Sequence, residues 1–206
     1  MYQIERAIFD IRRGLPVVIS NGEQRLLVQA LEGSRSVDTL AHLSGARPAL
    51  ALTRHRLEAM GLSLTAEAAC LPLAEQVSER ELHQLAVAHS GSKPSALLSG
   101  LKPAGAAERG AVALMRRALL IPAALTAVVS EDAQADIAEQ IAQGRLLEVK
   151  ADEAQKCLAG APGMLKRVSE ASIPLEDAPN SRFVLFREPD GLREHVAVVI
   201  GQVEAL

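Results

Sequence analysis

Cysteine and histidine are the residue types in this chain that most readily bind a metal or act as nucleophile and base. The 206 residues include two cysteines, Cys70 and Cys157, and neither has a cysteine or histidine at the spacing of a zinc-ligand pair. A structural zinc ion needs four such ligands, usually in closely spaced pairs. The sequence therefore predicts two thiols that are buried or idle, without a zinc site or a disulfide.

The five histidines do not form a ligand set either. His195 lies in a strand-like run, and the other four fall on predicted helices without a common ligand spacing: His42, His55, His83 and His89. A histidine in such a position is more often a packed or surface residue than a ligand. The stretch from Gly100 to Gly110 lacks the strand, glycine and helix order of a phosphate-binding loop. These residues predict neither a metal site nor a nucleotide loop.

Composition excludes several classes of partner. The chain has a net charge of -3 and a pI near 6.0, so it has no basic field that would attract nucleic acid or an anionic membrane. Aromatic residues make up only 2% of the chain, which argues against stacking platforms for bases. The charged N-terminal residues do not resemble a signal peptide, and no apolar run reaches membrane-spanning length. We therefore expect a soluble, cytoplasmic protein.

Short helices alternate with short apolar strands along most of the chain. Capping residues, glycine stops and apolar periodicity set their bounds, most clearly in the capping box Ser78-Glu79-Arg80-Glu81. Thr53 is a predicted helix cap, and Asn21-Gly22 predicts a tight turn between two strands. The predicted helices cover 4–13, 36–43, 53–60, 78–89, 108–120 and 130–144, and the predicted strands cover 15–19, 25–31, 48–52, 122–129 and 146–149. This alternation predicts an α+β fold built as a layered α/β sandwich.

The C-terminal segment predicts a β-hairpin. Two runs rich in Val, Ile and Phe, 181–187 and 193–200, flank the turn Pro189-Asp190-Gly191. Proline fixes φ and glycine accepts a positive φ, which suits a tight turn. Because the chain ends shortly after this hairpin, we expect that a second domain begins here and continues in a longer protein.

Two of these segments resemble known families. Glu194-His195-Val196-Ala197, followed by an apolar pair and Gly201, resembles the opening strands of GTP cyclohydrolase II. The first helix, Gly14, the strand Pro16-Val17-Val18-Ile19 and the strand that ends at Glu32 resemble the N-terminus of 3,4-dihydroxy-2-butanone 4-phosphate synthase. That synthase is a riboflavin-biosynthesis enzyme often fused ahead of GTP cyclohydrolase II, and the two resemblances occur in the order of the fusion.

The synthase resemblance extends to residues 48–62 and 108–124, yet the residues that carry the synthase chemistry are replaced. The family's acidic metal-binding loop is reduced here to Asn21-Gly22-Glu23-Gln24-Arg25, and Ala111 follows Gly110 where the family has histidine. One carboxylate is a poor site for Mg²⁺, which prefers several oxygen ligands. The resemblance therefore implies a catalytically degenerate domain without a cofactor. Glu23, Arg25, Thr53 and Arg54 would either line its vestigial pocket or serve as solvated surface and helix-capping residues, which is the commoner role of such residue types.

The resemblance also implies a domain organisation. A degenerate synthase-like domain would cover residues 1–167, and a linker with the first hairpin of a cyclohydrolase II domain would cover 168–206. The family's zinc-binding cysteines would follow Gly201, so zinc belongs only to the part beyond this chain. The expected role is that of a non-catalytic scaffold or regulatory domain. Its partners would be a second copy, forming a homodimer, and the GTP cyclohydrolase II catalytic domain.

Two alternatives remain open. The chain could be an active Mg²⁺-dependent lyase that converts ribulose 5-phosphate to dihydroxybutanone phosphate and formate, with Glu23, Glu32 and Asp38 as the nearest acids. It could also be a fragment of an active GTP cyclohydrolase II. A site with several converging carboxylates would favour the lyase.

Overall fold

The computed structural model describes residues 2–32, 37–62, 64–74, 77–87, 100–158, 165–189, 191 and 193–201. The predicted helix cap Ser36, the histidine His89 and the turn residue Asp190 lie outside these ranges. The chain divides into two compact units, Met1–Leu158 and Ala159–Leu206.

The first unit contains seven described helices and seven described strands. The helices are α1 (Tyr2–Arg12), α2 (Val37–Ser44), α3 (Arg54–Ala59), α4 (Glu79–Val87), α5 (Ala106–Arg117), α6 (Gln134–Ala142) and α7 (Ala151–Lys156). The strands are β1 (Val17–Asn21), β2 (Gln24–Ala30), β3 (Ala49–Thr53), β4 (Ala68–Pro72), β5 (Lys102–Pro103), β6 (Ala123–Val128) and β7 (Leu147–Lys150). The α+β fold predicted from the sequence is therefore confirmed.

One mixed sheet organises this unit. Its strand order is β5-β4-β3-β6-β2-β1-β7, and all neighbours are antiparallel except β1 and β7. β1 and β2 are joined by the two-residue turn Gly22-Glu23, in which Gly22 has a φ of +63°. A positive φ at the first turn position is typical of a type II′ hairpin and matches the right-handed twist of the strands.

Both faces of the sheet are covered by helices. On one face, alternate strand residues such as Val18, Leu27 and Leu125 form a buried cluster with Leu40 of α2 and Ile137 of α6. Side chains that alternate with these point to the opposite face of each strand. That opposite face is covered by α1, α5 and α7, which contact β1, and α5 also contacts the central strands. The arrangement is the predicted layered sandwich.

Helix α5 packs tightly against its surroundings because Gly110 lies where it meets α7. A Cβ atom built on Gly110 would lie 3.0 Å from the Cβ of Ala154 and 3.3 Å from the carbonyl oxygen of Ala151. The next residue, Ala111, is fully buried. Small side chains on this helix thus allow close approach to α7 and to Ile19 of β1.

The second unit contains a three-stranded antiparallel sheet with the order β10-β9-β8. Its strands are β8 (Lys166–Ser172), β9 (Ser181–Arg187) and β10 (Glu194–Ile200). β9 and β10 form the predicted C-terminal hairpin, with Val198 paired to Phe183. β8 was not predicted from the sequence, because its charged and small residues lack the apolar alternation of a half-buried strand.

No helix in the described part of the chain is long and apolar enough to cross a membrane.

Candidate functional site

A cavity of about 450 Å³ lies in the first unit, between the end of β3 and the helices α5 and α7. Its polar lining comes from segments that are far apart in sequence. The polar side chains of this lining include Thr53, Arg54, Glu67, Arg109, Arg116 and Gln155. Two of these, Thr53 and Arg54, belong to the vestigial pocket predicted from the sequence.

Thr53 and Arg54 reach the cavity through the cap of α3. Thr53 has an extended backbone (φ -70°, ψ 154°), and its hydroxyl oxygen accepts a hydrogen bond from the backbone N–H of Arg56 at 3.2 Å. A threonine in this position satisfies a backbone donor that the first helical turn leaves unpaired. The cap therefore fixes Arg54 as the first residue of α3, at the cavity wall. The helix cap predicted at Thr53 is confirmed.

Arg109 is held from two sides. Its Nη1 donates to the carbonyl oxygen of Ala104 at 2.9 Å, and its Nε donates to Oε1 of Gln155 at 3.4 Å. The amide Nε2 of Gln155 donates in turn to the carbonyl oxygen of Ala106 at 3.0 Å. These bonds connect α7 to the first turn of α5 and orient the Arg109 guanidinium at the cavity.

The described lining is predominantly cationic. It contains three arginines, one carboxylate, that of Glu67, and the exposed histidine His55. The guanidinium of Arg54 also lies near Glu58, with 3.6 Å between Nε and Oε1, but both side chains are more than 40% exposed. Exposed pairs of this kind contribute little stability. An anionic ligand is therefore the chemistry that this cavity suits.

The other two predicted pocket residues lie elsewhere. Glu23 is exposed in the turn between β1 and β2. Arg25, on β2, donates from Nε to Oε1 of Glu148 at 3.0 Å and from Nη1 to Oε1 of Gln134 at 3.0 Å. Arg25 therefore joins β2 to β7 and α6. The structure brings Thr53 and Arg54 together, and it places Glu23 and Arg25 outside the described lining of the cavity.

The acids named for an active lyase also lie apart from this cavity. Glu32 accepts a hydrogen bond at Oε1 from the backbone N–H of Ile121 at 2.6 Å, which holds the end of β2 near the start of β6. Its other oxygen, Oε2, is buried without a hydrogen-bond partner. Asp38 is exposed in the first turn of α2. Neither acid is among the described residues that line the cavity.

The described residues do not fit the magnesium site that the lyase alternative requires. No group of three or more His, Cys, Asp or Glu side chains that could hold a metal ion occurs in the described ranges. Mg²⁺ is usually held by carboxylates together with substrate oxygens.

Of the two cysteines, Cys70 is half-buried, and burial together with the nearby charge of Glu108 raises the pKa of its thiol to about 12.

Arg109, Arg116 and Gln155 were not among the residues singled out from the sequence. Arg109 lies in the segment that resembles the synthase helix, but no role was predicted for it there, and no short motif marks Arg116 or Gln155. Their common feature is the cavity, which forms only when α5 and α7 pack beside β3.

The fold of the chain is that of 3,4-dihydroxy-2-butanone 4-phosphate synthase. A two-domain synthase of that name from A. baumannii aligns with a TM-score of 0.57 at 17% identity, covering 96% of this chain and 70% of that one. The synthase of Candida albicans aligns with a TM-score of 0.51 at 17% identity, covering 73% of this chain and 94% of that one. At this identity the comparison shows the fold alone.

In sequence, the chain is similar to proteins named GTP cyclohydrolase-2. The protein from Azospirillum brasilense is 33% identical over 210 residues, covering 98% of this chain and 54% of that protein. The protein from Xylella fastidiosa strain Temecula1 is 29% identical over 202 residues, covering 96% of this chain and 48% of that protein. The chain thus spans about half the length of these relatives. No family model matches it. Both resemblances predicted from the sequence are confirmed.

Proposed function

We propose that this chain is a non-catalytic domain with the synthase fold in a riboflavin-biosynthesis protein of the GTP cyclohydrolase II type. Its role is structural or regulatory: it forms a homodimer and positions the cyclohydrolase domain. The observation that carries the proposal is the contact of Arg25 with Glu148 and Gln134. In this chain, the segment that resembles the metal-binding loop connects β2 to β7 and to α6 through Arg25.

The turn beside Arg25 supports the same conclusion. Asn21 pairs with Gln24 across the hairpin, so only Gly22 and Glu23 remain as loop residues. A metal-binding loop must supply several oxygen ligands around one ion. A two-residue turn with a single exposed carboxylate is a compact connection between strands. The buried position of Ala111, inside α5, likewise serves packing.

The partners in this proposal come from the comparisons. The relatives named GTP cyclohydrolase-2 are about twice as long as this chain, and their similarity covers nearly all of it. We propose the order of domains expected from the sequence, a synthase-like domain followed by the start of a cyclohydrolase II-like domain. We move the boundary from after residue 167 to after Leu158, because β8 (Lys166–Ser172) belongs to the second compact unit. Zinc chemistry would belong to the remainder of such a protein.

The test is an assay for the lyase reaction. Purified chain is incubated with ribulose 5-phosphate and Mg²⁺, and formate release is followed beside an active synthase as positive control. We expect no formate above background from the parent chain or from Glu23→Ala. Formate that is released by the parent chain and lost in Glu23→Ala would overturn the proposal and make Glu23 a metal-binding or base residue.

The oligomeric state gives a second measurement. Sedimentation equilibrium of the purified chain is expected to report twice the 21.9 kDa mass of one copy. A monomer at all concentrations up to about 100 μM, far above the Kd of a stable dimer, would contradict the dimerising role.

A further inference from the structure

The cavity beside β3 and α5 has a predominantly cationic lining among its described residues. Arg54, Arg109 and Arg116 contribute three guanidinium groups to its described lining, and Glu67 contributes the one carboxylate. The whole chain has a net charge of -3. The cationic lining is therefore a local concentration of charge and does not reflect the overall composition. A concave surface of one sign focuses the field and attracts small ions of the opposite sign.

Arg109 is oriented before any ligand binds. Its bonds to Ala104 and Gln155 use two of its N–H donors. A guanidinium has five such donors in a fixed plane, so three remain for a ligand or water. Because the protein already fixes the position of this group, a ligand would lose less free energy in ordering it.

Two further groups at the same wall can bind an anion. The hydroxyl oxygen of Thr53 accepts the bond from Arg56, which leaves its own O–H for donation to a ligand. Arg54 is paired with Glu58 only at 3.6 Å and on exposed side chains, so a ligand oxygen can compete for it. Arg116 lies at the exposed rim of the cavity.

The geometry points to this cavity as a binding site for a small molecule that carries a phosphate group. Guanidinium forks match the spacing of phosphate oxygens and form charge-assisted hydrogen bonds with them. The volume, about 450 Å³, is within the range of small-molecule sites. The site is separate from the turn that holds Glu23 and from Arg25. The inference therefore goes beyond the scaffold role and holds for a chain without catalytic activity.

The test is calorimetric titration of the full chain with inorganic phosphate and with ribose 5-phosphate, using ribose as the uncharged control. We expect saturable binding of both phosphate compounds at one site per chain, and no heat from ribose. Arg54→Gln and Arg116→Gln should each weaken binding about tenfold, the effect of losing one charge-assisted hydrogen bond. Circular dichroism of each variant confirms that it is folded.

The matched control is Arg117→Gln, which removes the same charge from the neighbouring position of α5 but lies outside the described lining. We expect less than about a twofold change for this variant, because a charge outside the site acts only through screened long-range attraction. Equal weakening by Arg117→Gln and Arg116→Gln would show attraction to diffuse surface charge and would overturn the proposal. Absence of saturable binding up to about 10 mM ligand, which would mean a Kd weaker than the millimolar range, would also overturn it. Formate release is a separate readout, so failure of this site and failure of the scaffold proposal are distinguishable.

Discussion

Replacing Arg25 with methionine tests whether this residue stabilises the fold. Methionine keeps most of the aliphatic length but removes the donors that bind Glu148 and Gln134, both at 3.0 Å. The side chains of Arg25 and Glu148 are 28% and 26% exposed, so water screens their attraction only in part. A hydrogen bond to a charged group contributes about 1.5–3 kcal/mol. After allowing for this exposure, we expect Arg25→Met to lower the free energy of unfolding by about 2 kcal/mol.

Urea denaturation followed by circular dichroism measures this change, and the melting temperature should fall by about 4–8 °C for a domain of this size. A double-mutant cycle with Glu148→Gln isolates the pair, and we expect a coupling energy of about 1 kcal/mol. The control is Arg12→Met on the exposed side of α1, which should change stability by less than about 0.5 kcal/mol. A coupling energy near zero, or equal losses from Arg12→Met and Arg25→Met, would refute the structural role of Arg25.

Five further predictions concern single positions. Gly110→Ala should destabilise the chain by about 1 kcal/mol in urea denaturation, because overpacking against α7 at 3.0 Å exceeds the gain in helix propensity; a stabilised variant would contradict this. Ser78→Ala should cost about 1 kcal/mol in the same assay, because its hydroxyl caps α4. Hydrogen bonds from Ser78 also lower the pKa of the Glu81 carboxyl, so the stability that Glu81 contributes is lost as pH falls through its folded pKa. On acid titration, the free energy of unfolding should therefore fall less in Glu81→Gln than in the parent chain. Leu119 has a φ of +59° and is 54% exposed, so Leu119→Gly should stabilise the chain by about 0.5–1 kcal/mol, with a higher melting temperature as the readout. Burial raises the pKa of the Cys70 thiol to about 12, so alkylation of Cys70 at pH 8 should be about a thousandfold slower in the folded chain than in urea. The free energy of unfolding should also fall as pH rises from about 9 toward 12, because the thiol ionises in the unfolded chain before it ionises in the folded one.

Much of the fold was accessible from the sequence because its signals are local. The capping box was one such signal: the hydroxyl of Ser78 and the carboxylate of Glu81 satisfy each other and the free backbone N–H groups of the first turn of α4. Thr53 at the start of α3 and the turn at Gly22 were recognised in the same way. Caps and turns depend on residues within about four positions of each other, so composition and spacing reveal them.

β4 and α7, like β5 and β8, were missed because their own residues carry little signal. β4 contains no β-branched or aromatic residue, and it becomes a strand by pairing with β3 and β5. α7 has only six residues, which is too short for apolar periodicity to be read. Both elements depend on neighbours that come from other parts of the chain.

The sequence by itself determined the alternation of helices and strands, the C-terminal hairpin and the resemblance to two riboflavin-biosynthesis families. Only the tertiary structure decided that Arg25 contacts Glu148, 123 residues away, and that Arg109 and Gln155 meet beside Thr53. Such contacts depend on strand order and on how helices pack across a sheet. Local spacing does not encode those distances, so the cationic cavity became visible only once the chain was folded.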